Sequence, residues 1–133
     1  MSGENIEIVR RAFRCWNEDD WGCLAECYDP DVVVIAPPGW PEASDSHGWK
    51  ETRVQFERLK DSWAMERIEV DEVRDLGDDR LFVRFRWIVS GRASGAPAET
   101  PASLLVTVGD ARITRAQFFF DQGEALEAAG LSE

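Results

Sequence analysis

Few side chains in this sequence can carry a proton near neutrality. His47 is the only histidine, and imidazole alone has an ordinary pKa near neutral pH, so it is the first candidate general acid or base. It closes a Pro-, Gly- and Ser-rich stretch, 37–47, that also holds Glu42 and Asp45. A lone histidine in such a loop is more often a surface residue or a cap. Asp121 is the second candidate. It follows Phe118-Phe119-Phe120, and a carboxylate beside so much apolar surface is a candidate acid. Capping the helical segment that follows is its plainer role. Cys15, Cys23 and Cys27 are odd in number and lack a C-x-x-C spacing. A metal site would want more ligands at suitable spacing, and His47 is the only histidine. Reduced cysteines packed as small hydrophobes are expected, with no metal and no cofactor.

The stronger signal is an aromatic wall. In Arg80–Arg92, Val83, Phe85, Trp87 and Val89 alternate with Arg84 and Arg86. Side chains of a strand point to opposite faces with period two, so this is a strand with one apolar side. Two large aromatics on that side need helices, a ligand, or both to lie against. Arg84, Arg86 and Arg115 fall on the outer face, where Glu69 and Asp71 can pair with the first two across strands.

The remaining elements follow from periodicity. Ile6, Val9, Phe13 and Trp16 recur at helical spacing over 4–18. Asp20 is an N-cap for a second helix, Trp21–Tyr28, stopped by Asp29-Pro30-Asp31. Val32–Ala36 reads as a short strand covered on both faces. A third helix starts near Gly48, with Trp49, Thr52, Phe56, Leu59 and Trp63 inward. Four strands then form an antiparallel meander. The first runs to Leu76 and turns at Gly77-Asp78-Asp79 into Arg80–Arg92. Thr100–Val108 and Ala111–Phe120 follow, joined at Gly109-Asp110. Gly123–Leu131 is a short helical tail. Helices ahead of a bent antiparallel sheet indicate an α+β fold, a curved sheet wrapped around three N-terminal helices as a cone with one open end.

The chain has 133 residues and reads as one domain, 1–133. Asp and Glu number 26 against 15 Lys and Arg, a net charge of −11, which argues against nucleic acid or an anionic membrane as partner. Its apolar stretches fall short of the roughly 20 residues of a spanning helix, and the N-terminus is polar and acidic. A cytoplasmic setting is expected.

This order resembles the SnoaL-like, or ketosteroid-isomerase-like, family of the nuclear transport factor 2-like superfamily. The carriers are the first helix ending in Trp16-Asn17, the D-x-x-x-L-x-x-x-x-x-P-D-V run from Asp20 to Val32, the Pro-rich end of the first strand, Gly48, and the closing strand. W-P-E-A at 40–43 and E-A-L-E-A-A-G-L at 124–131 are similar to a bacterial SnoaL-like subgroup. Steroid isomerases of this superfamily use a carboxylate base at the end of the first strand, with a tyrosine on helix one and a protonated aspartate on the fourth strand. The resemblance puts Ala36, Ala12 and Ser103 at those positions, so that acid–base set is absent. Its epoxide hydrolases use an Arg–Asp pair on a strand, which Arg84–Arg86 does not offer.

The same resemblance points Val83, Phe85 and Trp87 into the cone with Ser103, Leu105, Ala116, Phe118 and Phe120. Trp16, Phe56 and Trp63 close it, and Trp40 stands in the Pro-rich loop. Aromatic walls with few polar groups suit a small hydrophobic ligand, such as a polyketide- or terpenoid-like metabolite. The alternative is a plugged cone serving as a dimerisation or association domain. Leu104, Val106, Ile88 and Phe119 are expected to point outward, and the resemblance implies a homodimer through that outer face.

Overall fold

The computed structural model describes residues 2–37, 45–91 and 97–131. Its elements are α1 (Ser2–Asn17), α2 (Trp21–Cys27), β1 (Tyr28–Ile35), β2 (Ser46–His47), α3 (Trp49–Asp61), β3 (Met65–Gly77), β4 (Arg80–Ser90), β5 (Pro97–Gly109), β6 (Arg112–Phe119) and α4 (Gln122–Ala129). The strands form one six-stranded sheet in the order β2-β1-β6-β5-β4-β3. Neighbours from β3 to β6 pair antiparallel, as a meander must. β1 joins β6 in parallel, which makes the sheet mixed. It is an open, curved sheet with α1, α2 and α3 on its concave side, the α+β cone expected.

Local chemistry fixes the ends. Asp20 caps α2 by accepting from the Cys23 N–H at 3.0 Å. The β3–β4 and β5–β6 turns each put two successive residues at positive φ, Asp78-Asp79 and Asp110-Ala111, the geometry that matches strand twist in tight hairpins. Gly48 has φ 87°, and a Cβ there would meet the Pro30 carbonyl at 3.2 Å. Only glycine fits where α3 starts this close to β1. Asn17 donates to the Ile68 carbonyl and accepts from its N–H, both at 2.8 Å, which ties the end of α1 to β3.

The inner face of β4 is as read: Leu81, Val83, Phe85, Trp87 and Val89 are buried in the main core with Val9, Phe13 and Trp16 of α1. β5 is shifted by one residue from the sequence reading. Phe85 stands opposite Ala102 and Val83 opposite Leu104, so Ala102, Leu104 and Val106 face inward, and Ser103 and Leu105 face outward. The cause is α4. It lies on the outer face and forms a second core with Phe82, Phe119, Ala125, Leu126 and Ala129, against which Leu105 packs. Outer positions of β5 are therefore as apolar as inner ones. Tyr28 begins β1 rather than ending α2.

The cysteines also depart from expectation. Cys15 and Cys23 form a disulfide, and Cys27 is free and buried. The link ties α1 to α2. Among the described residues no helix is long and apolar enough to cross a membrane.

Candidate functional site

The cone encloses a cavity of about 290 Å³. α1 contributes Ala12, Phe13 and Trp16 to its wall, β4 contributes Phe85 and Trp87, and α3 contributes Phe56 and Leu59. Tyr28, Ala102, Leu104 and Phe118 come from the flanking strands. The rings interlock. Trp16 meets Phe56 edge-on at 5.0 Å, Phe13 lies 5.5 Å from Phe85, and Phe118 stands edge-on to Phe85 at 6.3 Å. Such tilted and edge-to-face pairs stiffen an aromatic wall.

A buried ion pair holds two of these walls. Glu66 Oε2 accepts the indole N–H of Trp16 at 2.7 Å and of Trp87 at 3.0 Å. Its other oxygen pairs with Lys60 Nζ, and the two side chains are only 6% and 9% exposed. Lys60 also donates to the Trp16 carbonyl at 2.8 Å and lies 4.2 Å from that ring's centroid. The carboxylate thus fixes the rotation of both indoles, and the lysine neutralises it where water is scarce.

The polar groups bordering the cavity are few. Burial pushes the Tyr28 hydroxyl's pKa up, with the charge of Cys27 adding to the effect. Its ring stacks on Trp49 at 5.1 Å. Ser46 Oγ lies 2.8 Å from Thr52 Oγ1. Gln55, Arg58 and Ser62 of the α3 region border the same space.

Each sequence candidate has a place. Trp16, Phe56, Phe85, Trp87, Phe118 and Phe120 line the cavity, as do Ala12 and Ala36. Val83 is core beneath it, and Trp63 backs Trp87 edge-on at 5.7 Å. Ser103 and Leu105 do not face it. Ser103 is buried under α4, with Oγ 3.3 Å from the side-chain amide of Gln122. Trp40 and Glu42 lie outside the described residues. His47 is exposed, paired with Val33 of β1, and its backbone N–H donates to Glu51 at 3.1 Å. Asp45 accepts the Ala36 N–H at 2.9 Å. Asp121 caps α4, accepting from the Glu124 N–H at 2.9 Å, its plainer role. On the outer face Arg86 pairs with Asp71 and Glu69, as read, and with Glu99. A bulge at Asp71 gives Arg84 a different partner, Glu72, at 3.9 Å.

Sequence reasoning passed over Lys60, Glu66, Tyr28 and Arg58. Glu66 did leave a signal: it shares its parity with Ile68 and Val70, so a charge stands on the apolar side of β3.

The curved sheet closed by helices around an apolar cavity is the nuclear transport factor 2-like architecture. Within it, the chain belongs to the SnoaL-like domain family, whose model matches residues 9–116. A similar solved structure is an NTF2-like protein of unknown function from Burkholderia pseudomallei (20% identity, 93% of this chain and 95% of that one, TM-score 0.79). TerC, co-crystallized with polyporic acid, is alike at 19% identity, 96% and 98% coverage and TM-score 0.79. A candidate polyketide cyclase from Sinorhizobium meliloti shares 26% identity over 84% of this chain and 93% of that one, TM-score 0.66. No curated protein matches the sequence.

Proposed function

We propose that the cavity binds a small, flat, hydrophobic metabolite of polyketide- or terpenoid-like character and holds it in one conformation. The observation that carries this reading is the volume of about 290 Å³ inside an aromatic wall, close to the lower end of ligand pockets. That space favours this reading over a cone plugged by its own side chains. The fold's company supports it: a structural neighbour was crystallised with polyporic acid, and another is a candidate polyketide cyclase.

The chemistry on offer is narrow. Among the described residues the lining holds no carboxylate and no imidazole, and Ala12 and Ala36 present methyl groups where a steroid isomerase places its acid and base. Tyr28, kept neutral by burial, is the hydroxyl suited to donate to a ligand carbonyl. Any conversion here rests on orientation and on polarising a carbonyl rather than on a carboxylate base.

Titration with a tricyclic aromatic ketone tests the reading. Saturable quenching of tryptophan emission, reduced in Trp87→Phe, is expected. A full panel of flat apolar compounds that neither quenches nor raises the melting temperature would refute it and favour the association-domain alternative.

A further inference from the structure

Resting on that reading, we propose that the ligand is an acid: a flat apolar body bearing one anionic group, which Arg58 receives at the cavity's edge. Arg58 is the one charged side chain among the described residues that border the cavity. It stands on the face of α3 that carries Gln55, Leu59 and Ser62, at spacings of three and four residues. Arg58 is exposed at the cavity's edge, among apolar lining residues such as Phe56 and Leu59, an arrangement that fits an amphipathic anion.

Its pairing is the second observation. Of the other cations of α3, Arg53 pairs with Glu57 at 3.4 Å and Lys60 with Glu66 and Asp19, while Lys50, like Arg58, makes no ion pair among the described residues. Arg58 has no ion pair among the described residues, in a chain with 26 acidic residues against 15 basic ones. Beyond the helix's own backbone bonds, its carbonyl accepts from Ser62 Oγ at 2.9 Å. Five N–H donors thus remain for a planar carboxylate, which guanidinium matches two bonds at a time. The net charge of −11 opposes entry of any anion from a distance, so a local cation is what such a ligand needs. Arg58 also stands in the last turn of α3, where a positive charge favours the helix end. A purely structural role would act through stability alone.

Two probes of one shape separate these roles: 2-naphthoate and its neutral amide, 2-naphthamide. Titration calorimetry should show wild type binding the acid more tightly than the amide by about tenfold, the scale of a charge-assisted hydrogen bond. Added salt should erode the preference. Arg58→Gln should abolish the preference while leaving amide binding in place, with no more than the small drop in melting temperature expected when a charge leaves the last turn of α3. Arg58→Lys should keep part of it. Amide binding without preference for the acid in wild type overturns the proposal and leaves the pocket reading intact. Preference surviving Arg58→Gln overturns it as well. Failure of both probes to bind, at any salt, counts against the pocket itself.

Discussion

Trp16 of α1 and Trp87 of β4, far apart in sequence, donate their indole N–H groups to the same carboxylate oxygen of Glu66, at 2.7 and 3.0 Å. This shared acceptor turns two separate elements into one wall. It also means that the Trp87 N–H serves the protein's own carboxylate, and that the indole presents its flat apolar surface to the cavity.

Removing the acceptor should therefore cost more than a surface ion pair. Glu66→Ala leaves two indole donors without their acceptor, and Lys60, 9% exposed, with only the exposed Asp19 as ion-pair partner. The expected loss is about 3–5 kcal/mol, as for one half of a buried pair. The double variant Lys60→Met, Glu66→Met should recover much of it, because an apolar pair of similar volume removes both charges. Urea unfolding of the single and double variants checks this; equal losses in the two would contradict it.

Tyr28 gives a pH prediction with a built-in reporter, since it is the only tyrosine. Burial raises its pKa in the folded state. The fold favours the neutral phenol, so nothing is lost below the unfolded pKa near ~10. Above it the unfolded chain ionises while the folded one does not, and stability falls as pH rises. Tyrosinate absorbance should stay flat in native protein through that value and appear together with loss of tryptophan packing. A smooth titration near the ordinary value, with circular dichroism unchanged, would show that Tyr28 is open to water.

The cysteines make a third case. Burial raises the Cys27 thiol pKa, against the opposing effect of Arg11, and a protonated thiol is a poor nucleophile. Native protein should resist iodoacetamide at neutral pH. Unfolded without reductant it should take one equivalent, at Cys27, and after reduction three, matching the count in the sequence. Three equivalents before reduction would show the Cys15–Cys23 link absent and restore the reduced state expected from sequence.

How much of this was legible depended on how clean the local pattern was. Val83-Arg84-Phe85-Arg86-Trp87 alternates without ambiguity, and the inner face of β4 followed. Leu104-Leu105-Val106 is apolar at successive positions, and a slip of one residue turns a whole strand over; for that reason local pattern does not tell the inner side of Ser103 and Leu105 from the outer. The information that resolves it lies in α4, a short helix whose docking on Phe82 and Phe119 no local pattern announces. The Glu66 network joins residues 50 and 21 positions apart, so only the fold brings it together. The helix caps at Asp20 and Asp121 were readable because capping is local.

The outer face gives the last prediction. The sequence suggests a homodimer there, with Phe119 as an exposed apolar contact. Phe119 is instead only 4% exposed, beneath α4. Phe119→Ala should therefore destabilise the monomer fold by about 3 kcal/mol, as for a buried aromatic, and Phe119→Glu should do worse. We propose that any pairing of copies uses the part of the face that α4 leaves open, around Ile88, which is half-buried between Arg67 and Glu99 of the neighbouring strands. The ion pairs that Arg86 makes beside it with Glu69, Asp71 and Glu99 suit the polar rim of such an interface. Sedimentation velocity at micromolar concentration should show a dimer that Ile88→Glu converts to folded monomer. Wild type sedimenting as a monomer contradicts the pairing outright, and a dimer untouched by Ile88→Glu places the interface elsewhere.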